Sequence, residues 1–158
     1  MKRATRIVET NEWDGATAID RVLLDADERH RRRVVLTGER GTTFLLDLSH
    51  ATVLREGDGL VLDDGSIVRV VGKPESLIQI AASDPHELAR LAWHLGNRHT
   101  DVQVIGDRLR IRRDHVLEEM LTRLGARLTP VEEPFEPERG AYDHHAHDHA
   151  HAHGHHHG

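Results

Sequence analysis

The sequence predicts an α+β protein in two unlike parts followed by a histidine-rich tail. Residues 1 to 72 are short aliphatic runs separated by glycine and aspartate turns and carry no helical period. Residues 73 to 138 alternate strand patterns with two amphipathic helical stretches, and residues 139 to 158 form a histidine-rich tail that is low-complexity from Asp143 onward. A chain of 158 residues that is 37% hydrophobic and 30% charged has the composition of a globular protein with room for two small cores. Aromatic residues make up only 3%, so Trp13, Phe44, Trp93 and Phe135 are scattered large pieces in cores of Leu, Val, Ile and Ala. That composition suits a scaffold better than an aromatic-lined cavity.

In the first part the strands are expected at 18–24, 33–37, 42–48, 60–62 and 66–71. Gly38-Glu39-Arg40-Gly41, Gly57-Asp58-Gly59 and Asp63-Asp64-Gly65 lie between them, with residues that tolerate the positive φ of tight hairpins. The expected result is a small β-sandwich or barrel-like domain. Its polar residues Asp47, His50 and Asp63 are dispersed and form no catalytic set. Arg29 to Arg33, interrupted by His30, reads as the solvated start of a strand rather than a nucleic-acid footprint.

Gly72-Lys73-Pro74-Glu75-Ser76 then breaks the pattern as a linker would. Leu77 to Ala82 reads as a strand, after which Asp84 is an N-cap, with Pro85 in the first turn and Glu87 at the capping-box position. Leu88, Leu91, Ala92 and Leu95 make one buried helical face, and Gly96 is the expected left-handed stop. Val102 to Ile105 and Arg108 to Arg112 are strands joined by a turn at Gly106-Asp107. Asp114 caps a second helix with Leu117, Met120, Leu121 and Leu124 on its buried face, Gly125 ends it, and Ala126 to Thr129 is the last strand. The order βαββαβ favours an antiparallel sheet with both helices on one face, the ferredoxin-like arrangement. Beyond Pro130 the glutamates and prolines predict an extended, poorly packed segment leading to a disordered tail.

With no cysteine, disulfides, thiolate metal sites, iron–sulfur clusters and cysteine nucleophiles are excluded, and any metal is held by nitrogen and oxygen. The formal charge of −6 counts all fifteen histidines as neutral. His144, His145, His147, His149, His151, His153, His155, His156 and His157 fall in the tail, mixed with Ala, Gly and Asp. Purification tags are usually unbroken runs, so this alternating stretch reads as native. Imidazole suits nickel, zinc and copper, and residues two apart in an extended chain share a side, so several can wrap one ion. No apolar run reaches signal-peptide or membrane-span length, and the expected location is cytoplasmic.

Of the other histidines, His94 sits beside the buried stripe and reads as a packing residue. His99 lies three residues past Gly96 on an exposed turn at the start of a strand, and His115 follows the cap Asp114. Each is compatible with a plain surface role or with ligation. His30, His50 and His86 carry no signal beyond composition.

Three segments bear on that choice. Trp93-His94-Leu95-Gly96-Asn97-Arg98-His99, the stretch from Arg112 to Gly125, and Pro134 to Tyr142 before a histidine-rich tail resemble the urease accessory nickel metallochaperones, the family called urease accessory protein E. The resemblance implies a peptide-binding-like β domain at 1–72, a ferredoxin-like metal-binding and dimerisation domain at 73–138, and a flexible tail. It also implies a homodimer in which His99 of both protomers meets Ni(II), and delivery to apo-urease with an accessory GTPase; Zn(II) or Cu(II) are expected to bind in vitro. Some family members carry His-Asp-His at the start of the second helix. Here the residues are Arg113-Asp114-His115, so only His115 carries over.

Two rivals remain at this level. A metal-dependent hydrolase would need a third fixed ligand and a pocket, and the sequence holds no HExxH pair and no nucleophile motif. A histidine-rich storage or buffering protein would share the tail's behaviour. The expectation is a carrier without enzyme activity, nucleic-acid binding or membrane association.

Overall fold

A computed structural model describes residues 1 to 139. They fall into two compact units, Met1–Lys73 and Pro74–Glu138. The first holds a six-stranded mixed sheet of β1 (Lys2–Val8), β2 (Asp20–Leu24), β3 (His30–Thr37), β4 (Thr43–Val53), β5 (Gly59–Leu62) and β6 (Ile67–Gly72). Short 3₁₀ turns occupy Thr10–Glu12 and Gly15–Thr17. The strand order is β2-β6-β5-β1-β4-β3, with β1 parallel to β4 and β2 parallel to β6. Alternate residues turn inward, so Val22, Leu24, Phe44, Leu46, Leu60, Leu62, Val68 and Val70 join in one core.

β1 lies outside the strands expected from sequence, although it stands between β5 and β4 in the sheet. Its apolar content is thin because Lys2, Arg3, Thr5 and Arg6 are exposed and Ala4 alone is fully buried. Arg29 departs from the solvated role expected for it. It is 2% exposed, and its Nε donates to the Leu24 carbonyl at 3.2 Å. Arg31, Arg32 and Arg33 of β3 are exposed as expected.

Asp20 organises the β3–β4 hairpin. This carboxylate is 4% exposed and accepts from the backbone N–H groups of Arg21 at 2.7 Å, Arg40 at 2.9 Å and Thr42 at 3.1 Å. Gly38 packs so closely that a Cβ there would overlap the Asp20 carboxylate. Burial pushes the Asp20 carboxyl up, but the donated N–H groups of Arg40, Arg21 and Thr42 together bring it below its ordinary value.

The second unit is a four-stranded antiparallel sheet of β7 (Pro74–Ala81), β8 (Gln103–Ile105), β9 (Arg108–Arg112) and β10 (Arg127–Pro134), in the order β10-β7-β9-β8. Helices α1 (Pro85–Asn97) and α2 (His115–Arg123) alternate with the strands as βαββαβ. Leu91 and Leu95 of α1 and Leu117 and Leu121 of α2 share one core with Ile78, Ile80, Leu109 and Ile111, so both helices cover the same face of the sheet. The caps are where the sequence puts them. Asp84 accepts from the Glu87 N–H at 2.8 Å, and Asp114 accepts from Val116 and Leu117 at 3.0 Å each.

The segment after Pro130 is not poorly packed. β10 continues to Pro134 and pairs residue for residue with β7, and Phe135 is fully buried beneath the Arg112 guanidinium, 4.9 Å from the ring centroid. Pro130 and Pro134 are tolerated because β10 is an edge strand, and residues four apart turn the missing N–H to the same open side. Trp93, expected among the packing residues, is instead 65% exposed on α1.

Because the folded-state carboxyl of Asp20 sits below its ordinary value, its stabilising contribution is fully present above the usual carboxylate range and is lost as pH falls through the folded value. The variant Asp20→Asn is expected to be less stable than wild type by about 1–3 kcal/mol at neutral pH in urea unfolding. That gap should narrow below about pH 4. A gap independent of pH would contradict an ionised, N–H-bound Asp20.

Candidate metal centre

Helix α1 runs one residue past Gly96, the expected stop, to Asn97. Gly96 has ordinary helical backbone, and the left-handed residue is His99 itself, with φ of 55°. The Arg98 N–H donates to the Leu95 carbonyl at 3.0 Å and the His99 N–H to Gly96 at 3.1 Å, which close the last turn. By contrast α2 ends as expected, with Gly125 at φ of 91° just past its C-cap. A histidine in the left-handed region costs about 1 kcal/mol or more relative to glycine. His99 is exposed, and β8 begins only at Gln103, so His99 lies in a turn rather than in the strand expected for it.

His99 lines a cleft with Thr100, Asp101, Arg112, Arg113 and Asp114. The turn is tied down by Asp101, whose carboxylate meets the Arg112 guanidinium at 3.1 Å. Arg112 also pairs with Glu75 of β7 at 3.1 Å and covers Phe135. Sequence reasoning passed over Asp101 and Arg112. The signal available was an acidic residue two positions beyond His99 and an arginine on the sheet face opposite Leu109 and Ile111.

His94 is half-buried within α1, its ring edge-to-face with Trp93 at 5.1 Å. His115 is the exposed first residue of α2 and lines a separate groove with Glu118, Glu119, Thr122, Arg123 and Leu128. His99 and His115 are therefore not brought into one site within a chain, although Asp114, next to His115, lines the His99 cleft. Among the described residues no three His, Asp or Glu side chains converge to hold a metal ion. The nine tail histidines, from His144 to His157, lie outside the described residues.

At the start of α2, Arg113 and Glu118 form a two-pronged pair, with Nε and one terminal nitrogen reaching the two carboxylate oxygens at 3.1 and 3.0 Å. Glu118 also accepts from the Asp114 N–H at 2.9 Å. The Arg113 hydrogen bonds hold the Glu118 carboxyl below its ordinary value against the opposing effect of burial. Arg113, at the position where some family members carry a second histidine, is thus paired with Glu118, whose carboxylate also accepts from the N–H of the cap residue Asp114.

Two family models match the chain in order. The UreE urease accessory protein N-terminal domain matches residues 3–72, and the UreE urease accessory protein C-terminal domain matches residues 75–158. The chain belongs to the UreE family of urease accessory proteins. Relatives bearing the name urease accessory protein UreE include one from Bradyrhizobium sp. strain BTAi1, 58% identical over 147 residues, which are 93% of this chain and 71% of the relative. One from Rhodopseudomonas palustris is 56% identical over 142 residues, 90% of this chain and 67% of the relative. One from Beijerinckia indica is 49% identical over 152 residues, 93% of this chain and 87% of the relative. UreE proteins are accessory to an enzyme and are not enzymes themselves. No described helix of this UreE family member is long and apolar enough to cross a membrane.

The left-handed turn has a measurable consequence. His99→Gly and His99→Ala both remove the imidazole, yet only alanine keeps a Cβ in the left-handed region. His99→Gly is expected to be the more stable by about 0.5–1 kcal/mol in chemical unfolding. Equal stabilities would show that position 99 carries no such strain.

Proposed function

We propose that this chain is a nickel-binding metallochaperone that captures Ni(II) and delivers it during assembly of the urease active site. The observation that carries the reading is the match of both UreE domain models across both halves of the chain. The folded body supplies His99 on an exposed, anchored turn, but no set of three donors within one protomer among the described residues. The missing donors come from a second protomer. We assign Ni(II) to a site where His99 of two protomers meets at a two-fold axis. Water or tail histidines complete the coordination there.

The three-part organisation follows. Residues 1–72 form a peptide-binding-like domain, 73–138 a ferredoxin-like metal-binding and dimerisation domain, and 139–158 a feeder in which His144, His145, His147, His149, His151, His153, His155, His156 and His157 collect ions. A tail tethered to the same chain a few residues past Tyr142 acts at an effective concentration of order millimolar, which favours hand-over. Apo-urease and the accessory GTPase are the receiving partners, in the cytoplasm. Zn(II) and Cu(II) compete in vitro, since imidazole accepts all three ions.

The high histidine content of the tail supports a second reading, storage or buffering of nickel, zinc or copper on a dimeric base. Urease activation separates the two. Under the delivery reading a protein truncated after Tyr142 still supports activation and a His99→Ala variant does not; the reverse outcome favours storage.

Nickel titration with native mass measurement tests the central site directly. The full chain should take up several ions, the form truncated after Tyr142 a dimer-bound ion, and the same truncation with His99→Ala none. Absence of nickel from the truncated dimer would refute the His99 site. Because neutral imidazole is the ligand, uptake by the tail should fall below about pH 6. Equal uptake at pH 5 and pH 8 would rule out tail binding through imidazole.

A further inference from the structure

The chain that follows β10 crosses the sheet it has just left. β10 and β8 are the two edges of the four-stranded sheet, in the order β10-β7-β9-β8. The Glu136 N–H donates to Gln103 Oε1 at 3.2 Å, and the Glu138 N–H donates to the Val102 carbonyl at 2.7 Å, immediately before β8. Residues 135–138 therefore run from one edge to the other. Three strand spacings are about 14 Å, a span that four extended residues cover at about 3.4 Å each.

The crossing lies on the face without helices. Leu109 and Ile111 of β9 enter the core shared with α1 and α2, so Arg110 and Arg112, which alternate with them, lie on the opposite face. Gln103 stands directly across from Arg110 and shares that face. Phe135 is fully buried against Arg112 and is not part of the helix-covered core, and Gln103 is 8% exposed. A buried ring of its own and a bond to a buried amide make 135–138 a docked strap.

The strap meets the His99 turn at two points. Val102 and Gln103 are where the turn re-enters the sheet, and Arg112, covered by Phe135, holds Asp101 at 3.1 Å. We infer that residues 135–138 are the clamp that fixes this turn, and that Phe135 is a positioning residue for His99, acting through Arg112. Without the ring, one face of the guanidinium opens to water, and its pair with the half-exposed Asp101 is screened and weakened. The left-handed backbone at His99 then loses part of the surroundings that hold it. The consequence for nickel rests on the proposed carrier function; the clamp itself does not.

The test uses the full-length, nitrogen-15-labelled protein, first free of metal. In wild type the amides of Glu136 and Glu138 should be protected from hydrogen exchange although they lie beyond β10, as should those of Arg98 and His99. Phe135→Ala should speed exchange at these four amides by about tenfold or more while Leu91 and Leu95 change far less, and Phe135→Leu should recover part of the protection. Gln103→Leu removes an acceptor and leaves the ring; it should act in the same direction, and it carries the test if Phe135→Ala fails to fold. Ni(II) is then added as the sulfate salt beyond saturation of the tail. The midpoint of paramagnetic broadening at 99–101 should rise roughly tenfold in Phe135→Ala, the scale of losing an outer-shell partner, and by less in Phe135→Leu. Unprotected Glu136 and Glu138 in wild type, or exchange that quickens equally throughout the second unit, would overturn the clamp. Faster exchange at 98–99 with an unchanged nickel midpoint would overturn the positioning role. No broadening at 99–101 in wild type would count against the central site, and the exchange result would still decide the clamp.

Discussion

Arg112 is the residue on which the His99-bearing edge of the second unit depends. It lies on β9, and its guanidinium reaches Glu75 on β7, Asp101 in the loop after α1, and the ring of Phe135 beyond β10. Three segments distant in sequence are thus referred to one planar group. An arginine does this where a lysine would not, because its fork can meet two carboxylates while its face covers an aromatic ring. The consequence for the site is positional. The turn carrying His99 is exposed, yet its far end is fixed to the sheet through Asp101, so the imidazole is presented from a defined place in spite of a strained backbone.

That arrangement fits the thermodynamics of a carrier better than those of a resident cofactor site. A closed four-ligand site on one chain binds tightly and releases slowly, because each ligand must be lost before the ion moves on. Here the described residues place the two candidate histidines apart, His99 in one cleft and His115 in another groove. Incomplete sets leave positions for an incoming ligand, so under the proposed carrier function transfer would proceed by ligand exchange without passing through the free ion. The absence of cysteine keeps every donor in the borderline or hard class, which avoids the soft thiolate trap for copper and zinc.

How far the fold could be read from sequence depended on whether the signal was local. Asp84 and Asp114 as caps, the Leu88 to Leu95 stripe and the Gly125 stop are settled within one or two turns, and they stand where the pattern places them. Most of the failures turn on what a segment outside the local pattern does. β1 carries mostly polar residues because one of its faces meets water, so its place between β4 and β5 leaves almost no apolar trace. Pro130 looked like a terminator, but it is harmless where the N–H would face the open edge. Arg29 is buried with its Nε on the Leu24 carbonyl, which no charge count reveals.

The site shows the same limit at closer range. Glycine at position 96 matched the usual helix stop, yet the chain places the left-handed turn three residues later on a histidine. Histidine is among the non-glycine residues that enter this region more readily than most, and a strained residue persists only where its surroundings over-determine it. Two backbone bonds from the end of α1 and the Asp101–Arg112 pair supply that constraint. Were Gly96 the turn, the helix would end earlier and the imidazole would follow a flexible stretch of chain. With His99 as the turn, the residue that would bind is also the residue that redirects the chain, and side-chain position is coupled directly to the geometry of the helix end.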